Sequence, residues 1–151
     1  MFAPDQPRTA AEAARVVRPG GMIALASWTP EGFIGEMFRT IAAHVPPPAG
    51  LASPMRWGDP AALEGLFAGR VQWTAHERRT FTFRFESPEA FADAFARYYG
   101  PTLKALEKAG DDAPALHHDL VSLAARHDRL GQETPAIAVE SEYLESVGVV
   151  R

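Results

Sequence analysis

The chain has 151 residues, no cysteine and a formal net charge of −4 at pH 7, and 46% of its residues are hydrophobic. These values predict one globular domain over residues 1–151 and exclude disulfides, thiol catalysis and cysteine-ligated zinc. The scattered basic residues argue against a nucleic-acid partner, and no apolar run approaches the roughly 20 residues that span a bilayer, so a cytoplasmic location is expected.

The first predicted unit is a helix, a tight turn and a strand. Residues 7–17 carry small apolar side chains at helical spacing, and Gly20 and Gly21 end that helix because glycine accepts left-handed backbone conformations. Met22–Trp28 is an almost unbroken apolar run, which is typical of a strand buried on both faces. This order predicts an α/β unit with a parallel sheet.

Two helices and a second strand are predicted next. Residues 33–45 have helical periodicity, and a proline-rich connector follows them. Asp59 and Pro60 have the character of an N-cap and a first helical residue. Residues 78–85 alternate between apolar and polar side chains, which predicts a half-buried strand.

The last part of the chain is predicted to be mainly helical. Ser87 and Pro88 begin a helix that is expected to direct Phe91, Phe95 and Tyr98 inward. Residues 115–130 form the next predicted helix, and residues 136–150 form a long or bent strand.

The polar residues give weaker indications. No pair among the five histidines has the helical spacing of a zinc helix, so no metal site is predicted. His44 and His127 are the histidines considered as a general base. The three glutamates near the chain end are predicted to form a solvated strand face: Glu140, Glu142 and Glu145.

The segment at residues 15–21, followed directly by Met22–Trp28, resembles a segment of class I S-adenosylmethionine-dependent methyltransferases. In that family a leucine-x-proline-glycine-glycine stretch leads into the fifth strand, and Val17 here replaces the common leucine. The resemblance extends over essentially the whole chain to a type 11/25-like bacterial subgroup, through residues 1–5, 26–35, 45–50, 97–102 and 141–144.

The resemblance implies an α/β fold with a partial, Rossmann-like methyltransferase sheet. It contains equivalents of strands 5, 6 and 7 and a stub of strand 4 at residues 1–3, and residues 136–150 insert antiparallel between Met22–Trp28 and residues 78–85. Helices between residues 33 and 67 are expected to form a lid-like region. The glycine-rich half that binds the cofactor is expected to be missing, since Gly20 and Gly21 precede a strand instead of following one.

Site residues are carried over from the same resemblance. The residues after the strand 4 stub are matched to a wall of the cofactor site: Phe2, Ala3 and Pro4. The residues expected to line a substrate pocket are Trp28, Thr29, Phe33 and Tyr98. No catalytic residue is assigned.

The complete family member is expected to transfer a methyl group from S-adenosylmethionine to a small-molecule acceptor. The isolated chain is expected to be inactive and to bind no cofactor by itself. Its open sheet edge is expected to be covered by a second copy or by the missing N-terminal half. The sequence leaves open a late start site, a natural truncation and a deliberate fragment.

Two other functions remain open. The first is a non-catalytic oligomerisation or small-ligand-binding module derived from the same fold. The second is an unrelated α+β ligand-binding domain, which requires Phe81, Phe83 and Phe85 to line a cavity.

Overall fold

A computed structural model describes residues 2–131 and 133–151. In these residues the structure contains helices α1 to α6, strands β1 to β3 and two short 3₁₀ segments. In chain order they are α1 Gln6–Arg15, β1 Met22–Trp28, α2 Phe33–His44, the 3₁₀ segment Pro54–Gly58, α3 Pro60–Phe67, β2 Val71–Phe85, α4 Pro88–Tyr98, α5 Gly100–Ala109, the 3₁₀ segment Gly110–Asp112, α6 Ala113–Arg126 and β3 Ile137–Val150.

Local capping signals explain where several helices begin. The Asp59 carboxylate accepts hydrogen bonds from the backbone N–H groups of Ala61 and Ala62, and it thereby caps α3. The Ser87 hydroxyl accepts one from the backbone N–H of Ala90 and caps α4. Both predicted N-caps are therefore confirmed.

The three strands form an antiparallel sheet in the order β1-β3-β2 within the described residues. β1 and β3 pair antiparallel, from Met22 opposite Val149 to Trp28 opposite Tyr143. β3 and β2 are also antiparallel, because positions that rise along β2 are bonded to positions that fall along β3. The Arg151 N–H donates to the Arg70 carbonyl, and the Thr74 hydroxyl donates to the Val147 carbonyl. The predicted insertion of the last strand is confirmed, whereas the expected parallel sheet is not present among these strands.

The prediction that β1 is buried on both faces is wrong. Ile23 and Ser27 are buried, but Met22 is 69% exposed, and Ala24 and Ala26 are exposed as well. The physical reason is that β1 has a single neighbouring strand in the described chain and is covered on one face only. The central and most buried strand is β3, which lies between two neighbours.

The chain divides into two compact units, and β2 and β3 contribute residues to both. The first unit contains residues 2–32, 49–80 and 142–151. Its core lies between one face of the sheet and the helices α1 and α3, and it includes Ala10, Ala14, Ile23, Trp57, Leu63, Leu66, Phe67, Val71, Leu144 and Val150.

A turn connects α1 to β1 in the first unit, and β3 holds it in place. Gly20 has a φ of 76°, and its N–H donates to the carbonyl of Val150 over 2.8 Å. The Val150 N–H in turn donates to the Gly21 carbonyl over 2.9 Å. Gly20 and Gly21 therefore form the turn that leads into β1. The prediction that they end the first helix is wrong, because α1 already ends at Arg15 and Val16 is its C-cap.

The second unit contains residues 33–48 and the described part of 81–141. Its core is formed by aromatic and leucine side chains of α2, α4 and α6, including Phe33, Phe91, Leu116, Leu120 and Leu123. The prediction that the helices between residues 33 and 67 form one lid-like region is wrong, because α2 belongs to this unit and α3 belongs to the first.

Two further predictions need correction. Tyr98 does not point inward: it is 76% exposed, and the guanidinium of Arg97 lies 5.1 Å from the centre of its ring. It is the last residue of α4, where the side chain turns away from the core. Phe2 and Ala3 are not in a strand, and Met1, the rest of the predicted stub, lies outside the described residues.

Candidate functional site

The residues matched to a cofactor wall lie in the segment before α1. Phe2 and Pro4 are exposed, and Ala3 is partly buried. Asp5, which follows them, caps α1 by accepting a hydrogen bond of 3.0 Å from the Arg8 N–H. Their role at a cofactor stays a prediction.

S-adenosylmethionine does not fit the described residues taken alone. A cofactor loop of this class follows a strand and opens a helix, so that backbone N–H groups face the ligand. Gly20 and Gly21 instead lie in the turn between the end of α1 and the start of β1. The described segments that follow β1 and β2 are residues 29–32 and 86–87, and neither is rich in glycine.

The predicted pocket residue Thr29 is fully buried at the carboxyl end of β1. Its hydroxyl donates to the carbonyl of Glu142 over 3.3 Å and accepts the Gly32 N–H over 3.2 Å. Its backbone N–H donates to the same Glu142 carbonyl over 3.2 Å. The Thr29 side chain therefore fixes the turn after β1, and its hydrogen-bonding capacity is used inside the protein.

Trp28 is partly buried beside Thr29. Its ring meets Tyr143 of β3 edge to face, with 6.0 Å between the ring centres. A Cβ atom at Gly58 would overlap the carbonyl oxygen of Trp28, so the 3₁₀ segment Pro54–Gly58 lies directly against the end of β1. Glycine at position 58 is required by this close approach.

Each of the three glutamates of β3 is paired with an arginine. Glu140 lies 3.3 Å from Arg129, and Glu145 lies 3.1 Å from Arg79. Glu142 binds Arg78, and this hydrogen bond holds the pKa of the Arg78 guanidinium above its usual value. These carboxylates are neutralised by arginine instead of being paired for acid–base chemistry.

Phe33 and Tyr98, the other two predicted pocket residues, do not line a common pocket in the second unit, since one is buried and the other is exposed. Phe33 is buried, and its ring meets Phe91 at 5.4 Å and His127 at 5.2 Å between ring centres. Tyr98 is exposed on α4. The structure thus brings Phe33 together with His127, which the sequence had suggested as a base.

Glu36 is a neighbour of His127 that sequence reasoning missed. Its carboxylate lies 2.8 Å from His127 Nε2 and 3.6 Å from Arg126. Glu36 lies in the first turn of α2, where a negative charge stabilises the helix N-terminus. In the sequence an acid at this position indicates the start of a helix, and it does not indicate a histidine partner. The two partners are 91 positions apart in the chain, which explains why the pair was not recognised.

His44 is held by two carboxylates at the end of α2. Nδ1 lies 2.6 Å from Asp112, and Nε2 lies 2.8 Å from Asp119. A carboxylate only accepts hydrogen bonds, so both bonds require a doubly protonated, positively charged ring. These bonds, led by the one to Asp112, raise the pKa of His44. The ring therefore has no lone pair to offer, which argues against a role as general base.

Two other histidines each form one side-chain hydrogen bond within the described residues. His117 Nε2 lies 2.9 Å from Asp93, and His76 Nδ1 lies 2.9 Å from the Ser146 hydroxyl. Within residues 2–131 and 133–151, no three histidine or acidic side chains are grouped so that they would hold a metal ion. None of the described helices has both the length and the apolarity needed to cross a bilayer.

Two of the three phenylalanines on one face of β2 pack against α4, whereas Phe81 is 51% exposed. Phe83 meets Phe95 at 5.6 Å, and Phe85 meets Phe91 at 5.4 Å. This packing argues against the α+β ligand-binding alternative, which needs a cavity there. A shallow depression of about 290 Å³ lies nearby, lined by Arg84, Phe85, Glu86, Leu130, Ala136 and Ile137.

Mycobacterial proteins of uncharacterized function are similar to this chain, and no protein-family model matches it. Uncharacterized protein Rv1405c of Mycobacterium tuberculosis is 40% identical over 137 residues, which cover 84% of this chain and 48% of the relative. Uncharacterized protein Rv1403c of the same organism is 41% identical over 113 residues, which cover 74% of this chain and 41% of the relative. The chain therefore spans about half the length of the curated relatives it matches.

Proposed function

We propose that this chain is the acceptor-binding, C-terminal half of a class I S-adenosylmethionine-dependent methyltransferase that acts on a small molecule. On this proposal the Rossmann-like sheet is completed, and the cofactor bound, by residues outside these 151. The chain alone binds no cofactor and transfers no methyl group. The proposal includes a cytoplasmic location.

The sheet order carries the proposal. The resemblance implies that the last strand inserts antiparallel between the equivalents of strands 5 and 6, and β3 lies antiparallel between β1 and β2. The free edge of β1 is where the resemblance requires strand 4 to pair. A sheet that is completed elsewhere accounts for an apolar strand that is half exposed.

The length of the relatives also supports the proposal. Proteins that are about 40% identical to this chain are about twice as long as their matching region. They have room for a second half of similar size, which is what a cofactor-binding half requires.

Isothermal titration with S-adenosylmethionine tests the proposal on two proteins. Full-length Rv1405c is expected to bind at micromolar concentration, and the 151-residue chain is expected to give no heat of binding. Failure of Rv1405c to bind would overturn the methyltransferase assignment. Micromolar binding by the short chain would contradict the placement of the cofactor site outside it.

The exposed side chains of β1 and β3 favour a second candidate, a non-catalytic module that assembles through β1. Met22 and Val149 are direct partners across β1 and β3, and both are exposed. This candidate predicts a stable dimer at micromolar concentration with the β1 edge buried. Sedimentation equilibrium that fits a monomer would count against it.

A further inference from the structure

His127 has a fixed position and a fixed orientation in the second unit. It caps the C-terminus of α6, where its backbone N–H donates to the Leu123 carbonyl over 3.2 Å. Its ring stands edge to face on Phe33, at an interplanar angle of 68°. Glu36 holds Nε2 at 2.8 Å, so packing on one side and a hydrogen bond on another define the ring plane.

The Glu36 carboxylate also determines where the ring proton lies. An ionised carboxylate only accepts, so Nε2 carries the hydrogen, and the lone pair of the neutral ring is on Nδ1. No described residue forms a hydrogen bond to Nδ1, and the side chain is 35% exposed. A carboxylate that orients an imidazole whose second nitrogen is open is the usual arrangement of a general base.

The other carboxylate-bound histidines of this unit provide contrasts. His44 is only 14% exposed, and both of its nitrogens are occupied. His117 has one carboxylate partner, as His127 does, but Asp93 is mostly exposed. His117 precedes His127 by ten residues, which is about 15 Å along a helix.

We propose that His127 is the catalytic base that removes a proton from the methyl acceptor, and that Glu36 is its positioning residue. This inference rests on the proposed methyltransferase function. In the step, the O–H bond of the acceptor breaks and an N–H bond forms at His127 Nδ1. The electron pair stays on the acceptor oxygen, and Nε2 keeps its proton toward Glu36.

The same chemistry indicates the acceptor class. Proton transfer to a side chain is most effective when the acid and base strengths of the two groups are close, and a phenol is far nearer to imidazole than an aliphatic alcohol is. The acceptor assigned to this base is therefore a small molecule with a phenol-like hydroxyl.

Nitrogen NMR and a coloured phenol test the inference on the 151-residue chain. In ¹H–¹⁵N spectra that report ring nitrogens, neutral His127 is expected to be protonated at Nε2 and bare at Nδ1. Added 4-nitrophenol, whose phenolate absorbs visible light, is expected to shift the His127 Nδ1 signal and to ionise when bound.

Variants separate the base from a structural side chain. His127→Asn is expected to lower the ionised fraction of bound 4-nitrophenol about tenfold, which is one unit in its apparent pKa. Glu36→Gln should lower it less and disturb the His127 tautomer, with an unchanged far-ultraviolet circular dichroism spectrum. His117→Asn is the matched control and should leave the ionised fraction unchanged.

Two results would overturn the assignment: a His127 ring protonated at Nδ1, or 4-nitrophenol that ionises equally in wild type and His127→Asn. A protein without detectable 4-nitrophenol binding would overturn it as well. None of these readouts involves S-adenosylmethionine. Failure here therefore removes the base alone, whereas failure of cofactor binding by Rv1405c removes the proposed function.

Discussion

The two compact units enclose their cores in different ways. The second unit is built from helices, and side chains such as Phe91 and Leu120 have no exposed surface. The first unit is built on the sheet, and α1 and α3 cover one face of it. Its other face, formed by Met22, Ala24, Ala26, Val147 and Val149, is here termed the open face, and most of these residues are exposed.

The difference shows that apolar composition does not determine burial by itself. In the second unit aromatic rings contact one another from several elements, so each ring is enclosed by its own chain. In the first unit the apolar residues of the open face have no such cover among the described residues. Substitution of a buried ring in the second unit is therefore expected to have a large effect on stability. Substitution on the open face of the first unit is expected to affect association between copies instead.

The largest expected effect is the loss of a buried ring from the second unit. Phe91→Ala removes a ring that contacts those of Phe33, Phe85 and Phe95, and it should lower the free energy of unfolding by about 3–5 kcal/mol. Met22→Ala on the open face is the control and should cost about 0.5 kcal/mol or less. Urea denaturation measures both, and equal losses would contradict the comparison.

A smaller loss is expected where the first unit is tightly packed. Gly58→Ala places a Cβ atom against the Trp28 carbonyl, so it should cost about 1–3 kcal/mol through backbone displacement. Gly65 lies inside α3 with open space around it, and Gly65→Ala should stabilise by about 0.5–1 kcal/mol. The same denaturation experiment tests the pair. A Gly58→Ala variant with an unchanged free energy of unfolding would contradict the close approach of position 58 to the Trp28 carbonyl.

The next effect depends on pH and belongs to the second unit. Hydrogen bonds to Asp112 and Asp119 raise the pKa of His44, so its contribution is fully present below the unfolded-state pKa and is lost as pH rises through the folded-state pKa. Both carboxylates are about half exposed, so His44→Gln should cost only about 1 kcal/mol at pH 5.5.

At pH 9 the same substitution should have little effect on stability. Urea denaturation of wild type and variant across this pH range gives the difference directly. A loss that grows with rising pH would have the wrong sign and would contradict the doubly bonded, charged ring. His117→Gln is the comparison variant, since its single partner is mostly exposed.

The smallest effect on stability is expected at the open face. Ala24→Lys adds a charge to an exposed position of the β1 edge strand and should change the free energy of unfolding by about 0.5 kcal/mol or less. If copies associate through β1, the substitution should shift sedimentation toward the monomer. Glu107→Lys, at an exposed position of α5, is the control and should leave sedimentation unchanged.

Elements with local chemical signals could be predicted from the sequence. Asp59 and Ser87 cap the helices predicted for them, and Met22–Trp28 has the predicted bounds, because caps and apolar runs depend on neighbouring residues. The place of β3 in the sheet followed from the family resemblance. The burial of β1 could not be predicted, since an apolar run looks the same whether its second face is covered or open.

The candidate site was predictable only in part. Phe33 and His127 were both singled out, but their contact was not, and Glu36 was missed. These pairings join segments that lie far apart in the chain, and periodicity carries no information about them. Tyr98 was misplaced because helical spacing at the end of a helix does not show whether its last turn still faces the core.

The central position of β3 has a consequence for synthesis on the ribosome. β3 lies between β1 and β2, but it follows both in the chain, so each outer strand is made before the partner they share. Translation from the end of β1 to the start of β3 takes roughly 5 to 20 s at ordinary rates. During that interval the nascent Met22–Trp28 segment lacks β3, the strand that pairs with it in the described part of the chain, so the hydrogen bonds between β1 and β3 form only after nearly the whole chain has been made.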